Sequence, residues 1–76
     1  MTSPYYNLPR GQRLMMEAIV ANIEKKGESP TLQELADKFG MEVPNVHSML
    51  RKLETKGFIT RERNAHRGIT LMESKP

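Results

Sequence analysis

Between Pro44 and Lys52 the chain runs Pro-Asn-Val-His-Ser-Met-Leu-Arg-Lys, and its side chains divide into two sets. Val46, Met49 and Leu50, with Leu53 one step further on, recur at three- and four-residue intervals, which collects them on one side of a helix. Pro44, Asn45, His47, Ser48 and Arg51 fall on the other side, with Lys52 at the flank. An amide, an imidazole, a hydroxyl and a guanidinium on one face suit the edges of base pairs. Asn45 can pair with adenine and Arg51 with guanine, each by matched donors and acceptors. His47 and Ser48 can meet a base or a phosphate, and Lys52 a phosphate. A second basic run follows, Arg61-Glu62-Arg63-Asn64-Ala65-His66-Arg67. Its Arg61, Arg63, Asn64, His66 and Arg67 suit a neighbouring phosphate backbone or minor groove. Thr31 and Gln33, at the head of the preceding helix, can hold a phosphate through side chains and backbone amides.

Each of these residues has a plainer role open to it. Thr31 caps its helix. Asn45 can simply stabilise a helix start. Arg51 can pair with Glu54, three residues on along the same helix. Lys52 and the residues of the basic run can be solvated surface, where lysine and arginine ordinarily lie.

Charge distribution separates these readings better than total charge. The 76 residues carry a net charge of only +3. From 44 to 67 there are six cations (Arg51, Lys52, Lys56, Arg61, Arg63, Arg67) against two anions (Glu54, Glu62). The rest of the chain is slightly acidic. Positive charge gathered on one helix and the run after it attracts a polyanion.

Catalysis has no comparable support. There is no cysteine, so neither a disulfide nor a cysteine-based zinc site helps the fold. His47 and Ser48 are adjacent in a helix and diverge, so they do not make a nucleophile–base pair. No glycine-rich phosphate loop follows a strand. No cofactor is expected. No apolar run approaches the ~20 residues of a membrane span. The opening Met-Thr-Ser-Pro-Tyr-Tyr-Asn has neither the apolar block nor the basic cap of a secretory signal. A cytoplasmic setting is expected.

The elements that would position these residues can be placed from periodicity and punctuation. Residues 1–7 read as a flexible arm whose Tyr5 and Tyr6 can pack back on the domain or touch DNA. A first helix is predicted from about Pro9 to Lys26, with Met15, Met16, Ile19, Val20 and Ile23 as its apolar stripe and Gly27 as its stop. Thr31 opens a second helix, and Glu34 three residues on completes a capping box. Leu32, Leu35, Ala36 and Phe39 form its inner side, and Gly40 turns the chain. The third helix, 44–56, starts at Pro44, a favourable early helical residue, and ends at Gly57. Strands beginning at Phe58 and Gly68 pair antiparallel around the loop 61–67, with Phe58, Ile69 and Leu71 packing on the helices. The tail is 73–76. One domain over 8–72 results: mainly α with a small β-hairpin, a three-helix winged helix-turn-helix.

Particular runs resemble the amino-terminal domain of LexA-type repressors. They are Leu8 to Gly27, then Ser29-Pro30-Thr31-Leu32-Gln33-Glu34-Leu35-Ala36; Pro44-Asn45 opening the third helix; Lys56-Gly57-Phe58-Ile59 leaving it; and Ala65-His66-Arg67-Gly68-Ile69-Thr70-Leu71 closing the wing. The resemblance covers roughly residues 8–72. It implies a repressor that binds symmetric half-sites as a homodimer. There are two departures. The stretch from Gly40 to Gly57 is one residue shorter than the family pattern, which shifts the register of the reading helix. The sequence also stops just after the wing, whereas LexA proteins continue into a self-cleaving, dimerising Ser-Lys domain, so autoproteolysis is not carried over. An excised domain and a small standalone regulator both fit.

The reading is therefore a sequence-specific double-stranded DNA-binding transcriptional regulator of the repressor type. Helix 44–56 enters the major groove and the wing 61–67 follows the backbone or minor groove. A homodimer on a palindromic operator, or a partner regulator, would complete it. The alternative is a winged-helix protein-interaction module that modulates another regulator or polymerase, with Met41, Val43 and the tyrosine arm as its patch.

Overall fold

In the computed structural model, which describes residues 5, 7–62 and 68–72, helix α1 spans Arg10–Lys26. Pro9 stands at its cap position and Lys25 and Lys26 in its last turn, where cations oppose the helix dipole favourably. Met15, Met16, Ala18 and Ile19 are its buried residues. Val20 and Ile23, expected in the same stripe, are half-buried at its edge, and Ala18 takes the inner place instead.

Helix α2 spans Leu32–Phe39 and starts from the expected capping box. Thr31 Oγ1 accepts from the Glu34 N–H at 3.0 Å, and Glu34 Oε1 accepts from the Thr31 N–H at 3.0 Å. Its other end is closed by Gly40 at φ +64°, where the Gly40 and Met41 N–H groups both donate to Ala36 O. The three residues Gly40-Met41-Glu42 then separate α2 from α3, Val43–Thr55. Helix α3 begins one residue earlier than the sequence suggested, with Pro44 in its first turn. It ends in a Schellman motif: Phe58 N–H donates to Leu53 O and Gly57 N–H to Glu54 O, both at 3.0 Å, with Gly57 at φ +88°.

Strands β1 (Ile59–Arg61) and β2 (Ile69–Leu71) pair antiparallel, Ile59 opposite Leu71 and Arg61 opposite Ile69. Directly paired residues share a face, so Ile59, Leu71, Arg61 and Ile69 lie on one side of the ribbon and Thr60 and Thr70 on the other. Phe58, Ile69 and Leu71 pack on the core as expected, and Ile59 joins them. Ile59 and Ile69 are the buried strand residues, while Phe58 and Leu71 pack half-buried at the margin. Phe58 precedes the strand and meets Tyr5 edge-on, ring centres 5.7 Å apart. Of the two arm tyrosines, Tyr5 thus packs back on the domain; Tyr6 lies outside the described residues. Burial, and then the charge of Glu24, hold the Tyr5 phenol above its usual pKa.

The core gathers residues from all five elements, and Val46, Leu50 and Leu53 of α3 are completely buried within it. Fully burying such side chains stabilises by about 1.5–3 kcal/mol each. Helix α3, packed on α2 and β1, is therefore fixed on one side and open on the other. Among the described residues no buried side-chain nitrogen or oxygen lacks a partner, and no helix is long and apolar enough to cross a membrane.

Candidate nucleic-acid interface

Helix α3 leaves Pro44, Asn45, His47, Ser48, Arg51 and Lys52 all exposed, opposite its three buried aliphatics. The helical period alone selects that set, as the sequence indicated. Glu42 holds the cap position without a side-chain cap bond. Asn45 N–H donates to Glu42 O at 2.9 Å, a backbone bond that does not occupy the Asn45 amide group. Within α3 the first turn contains no acidic residue, while the exposed Glu42 stands just outside it at the cap.

Two hollows flank this ridge. On the β1 side, His47, Arg51, Glu54 and Arg61 line a cleft of about 490 Å³. Arg61 reaches it because it is a strand residue, opposite Ile69, and not part of the loop where the sequence placed it. The loop proper is closed by Glu62 N–H donating to Gly68 O at 3.0 Å. On the far side Ser48, Arg51, Lys52, Thr55 and Lys56 line a depression of about 350 Å³. Arg51 belongs to both hollows, so it is central on the face.

The remaining candidates divide. Thr31 is 7% exposed and both its hydroxyl and its N–H serve the capping box. Gln33 is exposed, and its Nε2 donates to Asp37 Oδ1 at 3.0 Å, one turn along α2. Arg63, Asn64, His66 and Arg67 lie outside the described residues. Lys56, one of the clustered cations, continues the ridge together with two residues the sequence did not single out: Thr55, and Gln12, whose Oε1 accepts from Lys56 Nζ at 2.7 Å. The regular step from Ser48 to Arg51, Lys52 and Thr55 could have found Thr55; Gln12 carried no local signal. Met41 and Val43, the core of the alternative protein-docking patch, are half-buried and pack against the hydrophobic core. Among the described residues no group of three or more His, Cys, Asp or Glu could hold a metal ion.

Three helices, a glycine turn between the second and third, and a two-stranded ribbon after the third define a winged helix-turn-helix domain. The family model described as the LexA DNA binding domain matches residues 6–68. The chain belongs to that family. It is similar to the LexA repressor of Magnetococcus marinus, 34% identical over 73 residues that make up 96% of this chain and 32% of that protein. It is also similar to the LexA repressor of Desulfatibacillum aliphaticivorans, 35% identical across 92% of this chain and 35% of that protein. The LexA repressor of Mycobacteroides abscessus is 34% identical across 83% of this chain and 29% of that protein. The chain thus spans about a third of the length of these curated relatives.

Proposed function

We propose that this domain is the DNA-reading part of a transcriptional repressor, acting on double-stranded DNA in the cytoplasm. Helix α3 lies in the major groove, where a helix about 10–12 Å across matches a groove about 12 Å wide. Asn45 and Arg51 read base edges, with His47 and Ser48 beside them. Lys52 and Gln33 meet phosphates. Arg61 contacts the backbone from the cleft between α3 and β1, and Arg63, Asn64, His66 and Arg67 continue along backbone or minor groove. Thr31 holds α2 in place and makes no DNA contact. Two copies occupy a palindromic operator.

The observation that carries this reading is the exposed polar face of α3, Pro44 to Lys52, set opposite the buried Val46, Leu50 and Leu53. Family membership names DNA as the ligand class. The test is selection of bound duplexes from a random pool, then titration of the selected and a scrambled duplex over a salt series. Specific binding to the selected duplex is expected, with log affinity falling by about 0.9 per log unit of salt for each phosphate neutralised. Arg51→Ala should cost about 1–3 kcal/mol on the selected duplex and much less on the scrambled one. Equal losses on both would remove Arg51 from base reading. No binding to any duplex at low salt would reject the function.

A further inference from the structure

The two flanks of α3 are unlike. Toward β1, Glu54 stands among His47, Arg51 and Arg61. The other flank, from Ser48 to Lys56, carries the cations Arg51, Lys52 and Lys56 and no carboxylate. Its last cation is held from outside the helix. Lys56 Nζ donates to Gln12 Oε1 at 2.7 Å, although the two residues are 44 positions apart. The first turn of α1 lies close to α3: a Cβ on Gly11, beside Gln12, would be 3.2 Å from Met49 Cε.

An exposed lysine ordinarily spreads over many rotamers, and a ligand that fixes it must overcome that freedom. The bond to Gln12 restricts Lys56 before any ligand arrives. An ammonium has three donors, so two remain for a second acceptor. Gln12 is neutral, so the positive charge at the end of the ridge is left intact, as a carboxylate partner would not leave it. We infer that Lys56 is a further phosphate contact of the DNA interface and that Gln12 is its positioning residue, extending the interface to the first turn of α1. This rests on the DNA-binding reading above.

The experiment titrates Lys56→Ala, Lys56→Arg, Gln12→Ala and the double variant Gln12→Ala/Lys56→Ala on one duplex that the parent binds, across a salt series, with unfolding followed in parallel. Lys56→Ala should make the salt slope shallower by about 0.9 and weaken binding about tenfold, as loss of a charge-assisted hydrogen bond does. Lys56→Arg should keep the slope. Gln12→Ala should keep the slope, since the cation remains, but weaken binding about threefold through lost preorganisation. That threefold loss should vanish when Lys56 is already alanine, which a purely structural role for Gln12 would not do. A parental slope and affinity for Lys56→Ala, or an undiminished Gln12 effect in the double variant, would overturn the inference. Failure of the DNA-binding reading itself shows separately, in the parent's own titration.

Discussion

Thr31 is buried and bonded within its own helix start, whereas Arg51 is exposed on the open face of α3. The reciprocal bonds between Thr31 and Glu34, both 3.0 Å, place the Glu34 carboxylate at the N-terminus of α2. A phosphate approaching there would meet a negative charge already in the favourable position of the helix dipole. Thr31→Ala is therefore expected to lower unfolding free energy by about 1 kcal/mol, the usual cost of a lost cap, read by urea denaturation. Duplex affinity of the folded fraction should not change. A loss of affinity at unchanged stability would instead put Thr31 on the DNA. Arg51 has the opposite profile: it is exposed, so its removal should leave unfolding nearly unchanged while specific binding falls. Thr31 was readable from the sequence as a cap because the motif is four residues long. Its burial and the place of the Glu34 carboxylate, which argue for keeping it off the DNA, are not revealed by four residues.

Among the elements, the turn between α2 and α3 has a narrow sequence requirement. Gly40 sits at φ +64°, where a Cβ meets no neighbouring atom but the backbone itself is strained for an L side chain. Gly40→Ala should cost about 1–2 kcal/mol, seen as a fall in melting temperature of about 4–8 °C per kcal/mol for a domain of this size. Gly11 makes the contrast. It lies within α1, and an added Cβ would meet only Met49 Cε at 3.2 Å. The end of a methionine side chain yields readily, and alanine is the better helix former. Gly11→Ala should leave stability unchanged or raise it by up to about 1 kcal/mol. A parental melting temperature for Gly40→Ala would remove the constraint at the turn, and a fall for Gly11→Ala as large as that expected for Gly40→Ala would place one in α1. The same contrast marks what could be read in advance. Helix ends are written in short-range signals: the capping box, the positive-φ glycines and the 3.6-residue period gave α1, α2 and the exposed set on α3 to within a residue or so. Strand register and helix-to-helix contacts are not written that way. The pairing register puts Ile59 and Arg61 on the same face as Ile69, and the Gln12–Lys56 bond joins residues 44 apart. Both depend on how the finished elements meet, so neither Arg61's place in the cleft nor Gln12's part in the ridge was legible.

At the scale of the whole molecule, size limits what one copy can do. The principal extents are 30 × 25 × 21 Å, whereas successive major-groove faces on one side of B-DNA recur every ~34 Å. A domain offering a single exposed helical ridge can therefore read one groove segment only. Two half-sites a turn apart lie on the same face of the duplex and require a second copy related by the operator's own two-fold axis. A duplex carrying one half-site should accordingly bind a single copy, and a palindrome with half-sites one turn apart should bind two, as measured by sedimentation or native mass spectrometry. Moving the half-sites apart by half a turn places the second copy on the opposite face. If the copies touch, that change should abolish any cooperativity between them. If each binds alone, both duplexes should fill with the same affinity per site. A stoichiometry of one on the palindrome, at concentrations that saturate the half-site, would mean that a copy blocks its neighbour, and the paired arrangement would be wrong.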